Sequence, residues 1–376
     1  MKWTAATIAL ASTGLALLGT LLIYSVDAAR MHPEGNFLKQ CFFLPVGLCV
    51  FLLFAMRDYH RLGRRAEWLP LMLLCIVLLI AVLLFGRETG GARRWLRFYG
   101  VGFQPSELAR FALIVMLAAK LSEGMDHIRS IPRVILPTLF TAGFFAGLVF
   151  LENDIGIPFM IMFTAFAMLY FAGLPMLYIG VLGAAGADGQ DPMSLFAATR
   201  VERLRAFLDP WQDRSGSGWQ LIQALYSFSR GGITGTGLGA GTQKLGDLPA
   251  ADTDFIFSTI AEEAGLIGSL GVLFVFLLFF LAAMRICANS PDRFGMQLSA
   301  GIGVSISVQA LFIILVNVGL LPFVSYGGTS LIVTMAMAGV LVNVASHCLP
   351  REAQHILPTI EMPEGFELAP ETVRNY

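Results

Sequence analysis

Long apolar runs separated by charged or helix-breaking residues dominate the hydrophobic pattern of the chain. Most of these runs have roughly the 17–25 residues that an α-helix needs to cross a bilayer. They cover approximately 5–26, 37–56, 68–86, 104–120, 134–151, 155–173, 176–187, 255–284, 298–320 and 324–347. The pattern therefore predicts an all-α, polytopic membrane protein with about ten transmembrane helices.

The seventh run is short and continues into the polar sequence that begins at Asp188. We predict a large external loop over about 188–254, between the seventh and eighth helices. The transmembrane domain is expected to cover residues 1–350. The remaining segment, 351–376, is rich in Glu and Pro, a composition typical of a flexible tail, which we expect to be cytoplasmic.

Positive charges indicate which loops face the cytoplasm, because short cytoplasmic loops of membrane proteins retain Lys and Arg. The basic loops at 57–65, 120–133 and 285–293 each follow an even number of spans. Both termini are therefore predicted to be cytoplasmic, with the 188–254 loop on the outer face. The first run could instead be a cleaved signal peptide, but the many later spans favour an uncleaved helix.

The composition agrees with membrane insertion and excludes several functional classes. Charged residues make up 14% of the chain, whereas soluble domains carry about 25%. A net charge of −1 argues against a nucleic-acid partner. The five cysteines and five histidines show no disulfide, zinc-site or HExxH spacing, so no protein-bound cofactor or metal is predicted. Assistance by a soluble divalent cation stays open.

A cluster of arginines breaks the charge rule, because it lies between the third and fourth runs on the predicted outer side. Its members are Arg87, Arg93, Arg94 and Arg97. One interpretation is that these side chains reach the headgroup layer beside Trp95. The other is a clamp for a phosphate or pyrophosphate at the outer surface.

Charged residues also occur within or beside the apolar runs, where they are costly and often functional. Glu107 and Arg110 are three residues apart, so they share one helical face and can form an ion pair. This pair could be structural or could belong to the wall of a polar cavity. Asp154 lies in the turn before the sixth run, where it could cap a helix or take part in function.

The segment 199–254 combines basic, aromatic and glycine-rich stretches. Arg203 and Arg205 precede an amphipathic basic-aromatic stretch that suits a membrane interface. The high glycine content that follows predicts tight turns and backbone amides that can approach a ligand closely. Asp254 stands at the membrane boundary beside this loop, which is where a general base for a headgroup hydroxyl would be placed.

Several motifs, in a fixed order from about residue 5 to 348, resemble the SEDS family of shape, elongation, division and sporulation proteins (FtsW, RodA and SpoVE). They are Gly91-Ala92-Arg93-Arg94-Trp95, Gln104-Pro105-Ser106-Glu107-Leu108-Ala109, Phe207-Leu208-Asp209-Pro210-Trp211, Gly216-Ser217-Gly218-Trp219-Gln220, Gln243-Lys244-Leu245, Thr253-Asp254-Phe255-Ile256-Phe257 with Glu262-Glu263, and Ser325-Tyr326-Gly327-Gly328. The residues of the Asp-Pro-Trp, Gly-Ser-Gly and Gln-Lys-Leu motifs are closer to those of the FtsW, or division, branch of the family.

The resemblance implies a ten-helix, inverting glycosyltransferase that polymerises lipid II into glycan strands at the outer face of the bacterial cytoplasmic membrane. Its implied partners are a class B penicillin-binding transpeptidase and other divisome proteins. A lipid II flippase and an inactive scaffold that recruits the transpeptidase are the alternatives.

The resemblance also assigns expected roles to individual residues. Asp254 is the expected catalytic base. The expected pyrophosphate-binding residues are Arg93, Arg94, Arg203, Arg205 and Lys244. The expected polar cavity and structural residues are Glu107, Arg110, Asp154, Glu262, Glu263 and Ser325.

Overall fold

The computed structural model describes residues 1–31, 35–89, 92–98, 101–154, 156–180, 209–214, 216, 218–245, 251–316 and 321–348. Within them the helices are α1 Lys2–Ala29, α2 Asn36–Met56, α3 His60–Gly63, α4 Arg65–Phe85, α5 Pro105–Gly124, α6 Leu136–Leu151, α7 Gly156–Phe171, α8 Trp219–Gly231, α9 Ile256–Ala288, α10 Arg293–Val316 and α11 Gly328–His347. Single turns of tighter or wider helix cover Met125–His127, Ile131–Ile135, Pro210–Asp213 and Gln243–Leu245.

Nine of the ten predicted spans coincide with helices in the described part of the chain. Seven helices there are long and apolar enough to cross a membrane, and α7 is a shorter apolar helix. The predicted seventh span, 176–187, is helical over 176–180, and its remainder lies outside the described residues. The tail 351–376 also lies outside them. The chain is therefore a multi-pass, mainly helical membrane protein.

The helices differ in how far they are enclosed by the bundle. In α11, 89% of the apolar window is buried, and in α10 the share is 72%. In α2 and α4 it is only 22%, so these helices present most of their apolar side chains outward, as lipid-facing helices do. The centre of the bundle is thus formed around α10 and α11, and α5 joins them with nearly all of its first four turns buried.

A small antiparallel sheet follows α4, where the sequence analysis expected a loop. Its strands are β1 Arg87–Thr89, β2 Ala92–Phe98 and β3 Val101–Phe103, in the order β1-β2-β3. Strand geometry sends successive side chains to opposite faces, so Arg93 and Arg97 are exposed whereas Leu96 is buried. The sheet therefore separates the arginines of the predicted cluster, and Arg94 lies on the inward face.

The helix α9 contains a break near its outer end, at Gly265. This glycine has a φ of 65°, outside the helical region, so the helical hydrogen-bond pattern is interrupted there. The amide of Leu266 instead donates to the carbonyl of Gly232 at 2.9 Å, and that of Ile267 to the carbonyl of Ile233 at 3.2 Å. The break therefore binds the glycine-rich segment that precedes α9 directly to this helix.

Candidate functional site

The turn that holds Asp254 is fixed by the segment that precedes α11. The hydroxyl of Ser325 donates to the carbonyl of Thr253 at 2.7 Å and accepts from the amide of Leu321 at 2.8 Å. The amide of Tyr326 donates to the carbonyl of Asp252 at 2.9 Å. Asp254 itself is partly buried just before the N-terminal end of α9. Ser325, predicted as a cavity residue, thus contacts the turn that carries the expected catalytic base.

The start of α2 reaches the same turn from the other side. The side-chain amide of Asn36 donates to the carboxylate of Asp252 at 2.6 Å, and Asp252 is only 6% exposed. At the end of α1, the carboxylate of Asp27 accepts a hydrogen bond from the amide of Phe37 at 2.7 Å. The ends of α1 and α2 are therefore joined to each other and to the turn before Asp254.

Several charged groups converge around Tyr326 beside this turn. Burial raises the pKa of its hydroxyl, and the negative charges of Asp252 and Asp27 raise it further. The positive charge of Arg97, on β2, acts in the opposite direction. The exposed face of the sheet and the acidic ends of α1 and the 251–255 turn are thus close enough to interact electrostatically.

Lys244 lies in a buried ion pair beneath the glycine-rich segment. Its ammonium is 1% exposed, contacts the carboxylate of Glu263 and donates to the hydroxyl of Ser25 at 2.6 Å. Ser25 also donates to Glu263 at 2.8 Å, and the second oxygen of Glu263 accepts from the amide of Gly239 at 3.1 Å. Arg30 donates to the carbonyl of Lys244 at 2.9 Å. A pyrophosphate contact by Lys244 would require this pair to open, and that role stays a prediction.

Glu262 binds the same segment through backbone amides. Its carboxylate accepts from the amide of Thr242 at 2.8 Å and from that of Gln243 at 3.2 Å. Its carbonyl accepts from the amide of Thr236 at 2.9 Å. Such charge-assisted bonds are stronger than neutral ones, so the two adjacent glutamates hold the 236–244 backbone onto the outer end of α9.

Arg94 contacts the turn between α6 and α7. Its Nε lies 3.4 Å from the carboxylate of Asp154, and its Nη2 donates to the carbonyl of Asn153 at 2.9 Å. The other oxygen of Asp154 accepts from the amide of Gly156 at 2.9 Å, which confirms the helix-capping interpretation. Asp154 therefore both caps α7 and holds the inward arginine of the sheet.

Glu152 lies in the same turn and is 1% exposed. Its carbonyl accepts from the amide of Arg93 at 3.2 Å, but neither carboxylate oxygen has a hydrogen-bond partner among the described residues. Burial raises the pKa of Glu152 to about 8, and the charge of Asp154 adds to the shift while Arg94 opposes it. The sequence analysis did not single out this residue, because an acid in a turn usually faces water.

The sheet also contacts the start of α11. The hydroxyl of Thr329 accepts from the amide of Gln104 at 3.2 Å and donates to the carbonyl of Gly102 at 3.3 Å. Since α11 follows directly on the Ser325 segment, the sheet and the Asp254 turn share one support. The arginine-bearing sheet and the acidic turn therefore belong to one site at the same end of the bundle.

Glu107 and Arg110 form the predicted ion pair, with 2.7 Å between Oε2 and Nη2. Their side chains are 3% and 1% exposed, so the pair faces the interior of the bundle. A second nitrogen of Arg110 lies 3.8 Å from the sulfur of Met160 on α7. The pair thus links α5 to α7, which fits the structural interpretation.

Two of the expected pyrophosphate-binding residues, Arg203 and Arg205, lie outside the described residues. Two residues of the outer site, Asn36 and Asp252, were missed by the sequence analysis. A polar residue at the first position of an apolar helix was the available signal for Asn36.

Within the part of the chain that the structure describes, no three His, Cys, Asp or Glu side chains are grouped to hold a metal ion.

The fold and this site define a class of protein: a multi-pass membrane protein with an acidic turn, a basic sheet and a glycine-rich segment gathered at one end of its helices. The sequence profile of the FtsW/RodA/SpoVE family of cell cycle proteins matches residues 5–349. The chain belongs to this family.

Named relatives support the same assignment along nearly the whole chain. The probable peptidoglycan glycosyltransferase FtsW of Trichlorobacter lovleyi is 37% identical over 347 residues, covering 88% of this chain and 90% of the relative. Stage V sporulation protein E of Bacillus subtilis is 33% identical over 347 residues, covering 89% and 94%.

Two solved structures share the fold. A chain described under structural coordination of polymerization and crosslinking by a peptidoglycan synthase complex superposes with a TM-score of 0.73 at 26% identity, covering 90% of this chain and 96% of that one. The rod shape determining protein RodA of Thermus thermophilus gives a TM-score of 0.64 at 24% identity, covering 91% and 97%.

Proposed function

We propose that this protein is a peptidoglycan glycosyltransferase that polymerises lipid II at the outer face of the cytoplasmic membrane, in cell division. The supporting observation is the position of Asp254 at the outer end of α9, in a turn held by Ser325 and Tyr326. Family membership supports the activity, because relatives that are 34–37% identical carry the name of this enzyme.

The proposed reaction joins two lipid-linked disaccharides. The 4-hydroxyl oxygen of the GlcNAc of one lipid II forms a bond to C1 of the MurNAc of the other. The bond from C1 to the pyrophosphate oxygen breaks, and undecaprenyl pyrophosphate leaves with the electron pair. The carboxylate of Asp254 takes the hydroxyl proton, which makes the oxygen a better nucleophile in the transition state. Attack opposite the leaving group inverts the anomeric centre.

The basic residues of the outer site suit the charge that develops on the leaving pyrophosphate. Arg93 and Arg97 lie on the exposed face of β2, where an anionic headgroup can approach from the membrane surface. Arg94 lies on the opposite, inward face of β2 and contacts Asp154, so a pyrophosphate contact by Arg94 would require that contact to open. We assign Arg203 and Arg205 to the same task on the strength of the family resemblance.

The proposed partner is a class B penicillin-binding transpeptidase, and other divisome proteins would join the pair. The likeness to a chain from a peptidoglycan synthase complex supports such a partner. In the proposed orientation both termini are cytoplasmic and the 188–254 loop is outside, which the basic loops support under the positive-inside rule.

The first test is polymerisation of labelled lipid II by purified protein, with and without the cognate transpeptidase. Wild type is expected to make glycan strands, and Asp254→Asn is expected to lose at least about 10²-fold in rate, because a general base typically contributes 10²–10⁴-fold. Asp126→Asn is a matched control, since Asp126 is exposed and paired with Arg293 on another loop.

Results other than the expected ones would assign a different base or a different function. Asp254→Asn protein that is folded and polymerises at the wild-type rate would show that the base is another residue. Wild type that moves lipid II across vesicles without making polymer would be a flippase. Wild type that does neither, but binds the transpeptidase, would be a scaffold.

A further inference from the structure

The contact between Asn36 and Asp252 joins a transmembrane helix to the turn of the proposed base. Asn36 is the first residue of α2, and its side-chain amide donates to Asp252 at 2.6 Å. Asp252 is two residues before Asp254 and is 6% exposed. A buried acid normally needs a partner, and here the partner is a neutral amide from a distant part of the chain.

The backbone of the same turn is held from the opposite side. Consecutive carbonyls, those of Asp252 and Thr253, accept hydrogen bonds from Tyr326 and Ser325. A third bond, from the hydroxyl of Thr259 to the carbonyl of Ala251 at 3.1 Å, ties the turn to α9. Because a peptide group is planar, fixing these carbonyls fixes the two peptide planes that lead into Asp254.

Hydrogen bonds to the carbonyls set how the peptide planes are rotated, but they leave the turn free to shift with the segment before α11. The Asn36 contact restricts that freedom, because it adds a bond from the start of α2 to a side chain of the turn. Near-attack geometry is sensitive to such shifts, and a displacement of about 1 Å can reduce a rate about 100-fold.

We infer that Asp252, held by Asn36, is a positioning residue that sets the location of Asp254 relative to the substrate hydroxyl. This inference rests on the proposed glycosyltransferase function. It assigns to the first residue of α2 a part in the reaction although Asn36 does not touch the substrate.

The test exchanges the side chains of Asn36 and Asp252, first one at a time and then together. Asn36→Asp places two carboxylates side by side, and we expect kcat for lipid II polymerisation to fall about 10- to 100-fold with little change in KM. Asp252→Asn leaves two amides that can still bond, so its loss is expected to be smaller. The double variant restores one amide and one carboxylate, and we expect it to recover to within about threefold of wild type.

Controls separate positioning from folding. Asn289→Asp makes the same change at a half-buried residue that directly follows the opposite end of α9, and it is expected to keep the wild-type kcat. Thermal unfolding of each variant in detergent reports stability independently of turnover. If Asn36→Asp does not accumulate, Asn36→Ala removes the donor and gives the same kcat comparison.

The outcomes distinguish this inference from the function on which it rests. Wild type that makes no polymer overturns both. Active wild type with an Asn36→Asp variant of unchanged kcat overturns the positioning role alone. So does a double variant that is folded but no more active than Asn36→Asp, or a series in which only stability changes.

Discussion

Three buried carboxylates near the outer end of the helices differ in what they contact. Glu262 accepts from backbone amides, and Glu263 is paired with Lys244 and Ser25. Glu152 has no side-chain hydrogen-bond partner among the described residues. Removing one member of a buried pair typically costs about 3–5 kcal/mol, because the other charge remains without compensation. Lys244 and Glu263 therefore depend on each other for the stability of the glycine-rich segment.

Glu152 is expected to make stability depend on pH. Its pKa is raised from an ordinary 4.5 to about 8 in the folded protein, first by burial. Between these values the folded protein holds a proton that the unfolded chain has released, so stability falls as pH rises through this range. Glu152→Gln removes the ionisation and is expected to stabilise the protein by roughly 1–3 kcal/mol above pH 8.

Thermal unfolding in detergent at pH 5.5, 7 and 8.5 measures this effect. Glu152→Gln should differ least from wild type at pH 5.5, and its advantage in melting temperature should grow at pH 7 and 8.5. Glu67→Gln is the control, because Glu67 is 48% exposed and should leave the pH dependence unchanged. Parallel pH curves for wild type and Glu152→Gln would mean that Glu152 does not titrate in this range.

The glycine-rich external segment is shaped by close approach to α9. Gly235 has a φ of 81°, and a Cβ there would meet the carbonyl oxygen of Glu263 at 2.1 Å. A Cβ at Gly231 would lie even closer to a backbone oxygen, 1.8 Å from the carbonyl oxygen of Ala261. Only glycine permits this packing of a loop against the outer turns of a helix. The glycines are thus explained by contact with α9 at these two positions.

Gly235→Ala tests this packing. We expect a loss of roughly 1–2 kcal/mol for an alanine at positive φ, and about 1–3 kcal/mol more because the backbone must shift. Gly239→Ala is the matched control, since Gly239 has a φ of 85° but open space around its Cβ position. Melting temperatures of the two variants separate strain from overlap. Equal losses would indicate that Gly235 does not pack against Glu263.

The sheet β1–β3 is an element that the apolar pattern could not predict. Its strands are short, and a polar stretch with several arginines favours a loop when it is read alone. Pairing between β2 and β3 is helped by Gly102, where a Cβ would lie 3.0 Å from the ring of Trp95. The strand structure decides that Arg93 and Arg97 share a face, which linear spacing did not show.

Two long-range connections hold opposite ends of α2. At its start Asn36 binds the Asp252 turn, and past its end the amide of Tyr59 donates to Asn343 on α11 at 2.9 Å. Tyr59 also donates through its hydroxyl to Asp292, in the turn between α9 and α10. A helix of 21 residues spans about 30 Å. The packed pair of α2 and α11 therefore reaches from the Asp254 turn to the other side of the membrane.

The orientation of the whole chain can be tested by labelling single cysteines. In a chain whose five native cysteines are replaced, Gln212→Cys should react with a membrane-impermeant maleimide added to intact spheroplasts. Asp126→Cys should react only after permeabilisation. Both positions are exposed, so accessibility depends on the side of the membrane. The reverse labelling pattern would place the termini outside and refute the proposed topology.

Local patterns in the chain were sufficient to locate nine helices and to single out Asp254 and the Glu107–Arg110 pair, whereas Ser325 was named through the family resemblance. They were sufficient because apolar length and helical spacing are properties of neighbouring residues. The partners of Asp252 and Lys244, and the burial of Glu152, depended on the tertiary structure. Asn36 and Asp252 are 216 residues apart in sequence, and no local pattern states which helix ends will meet when the bundle packs.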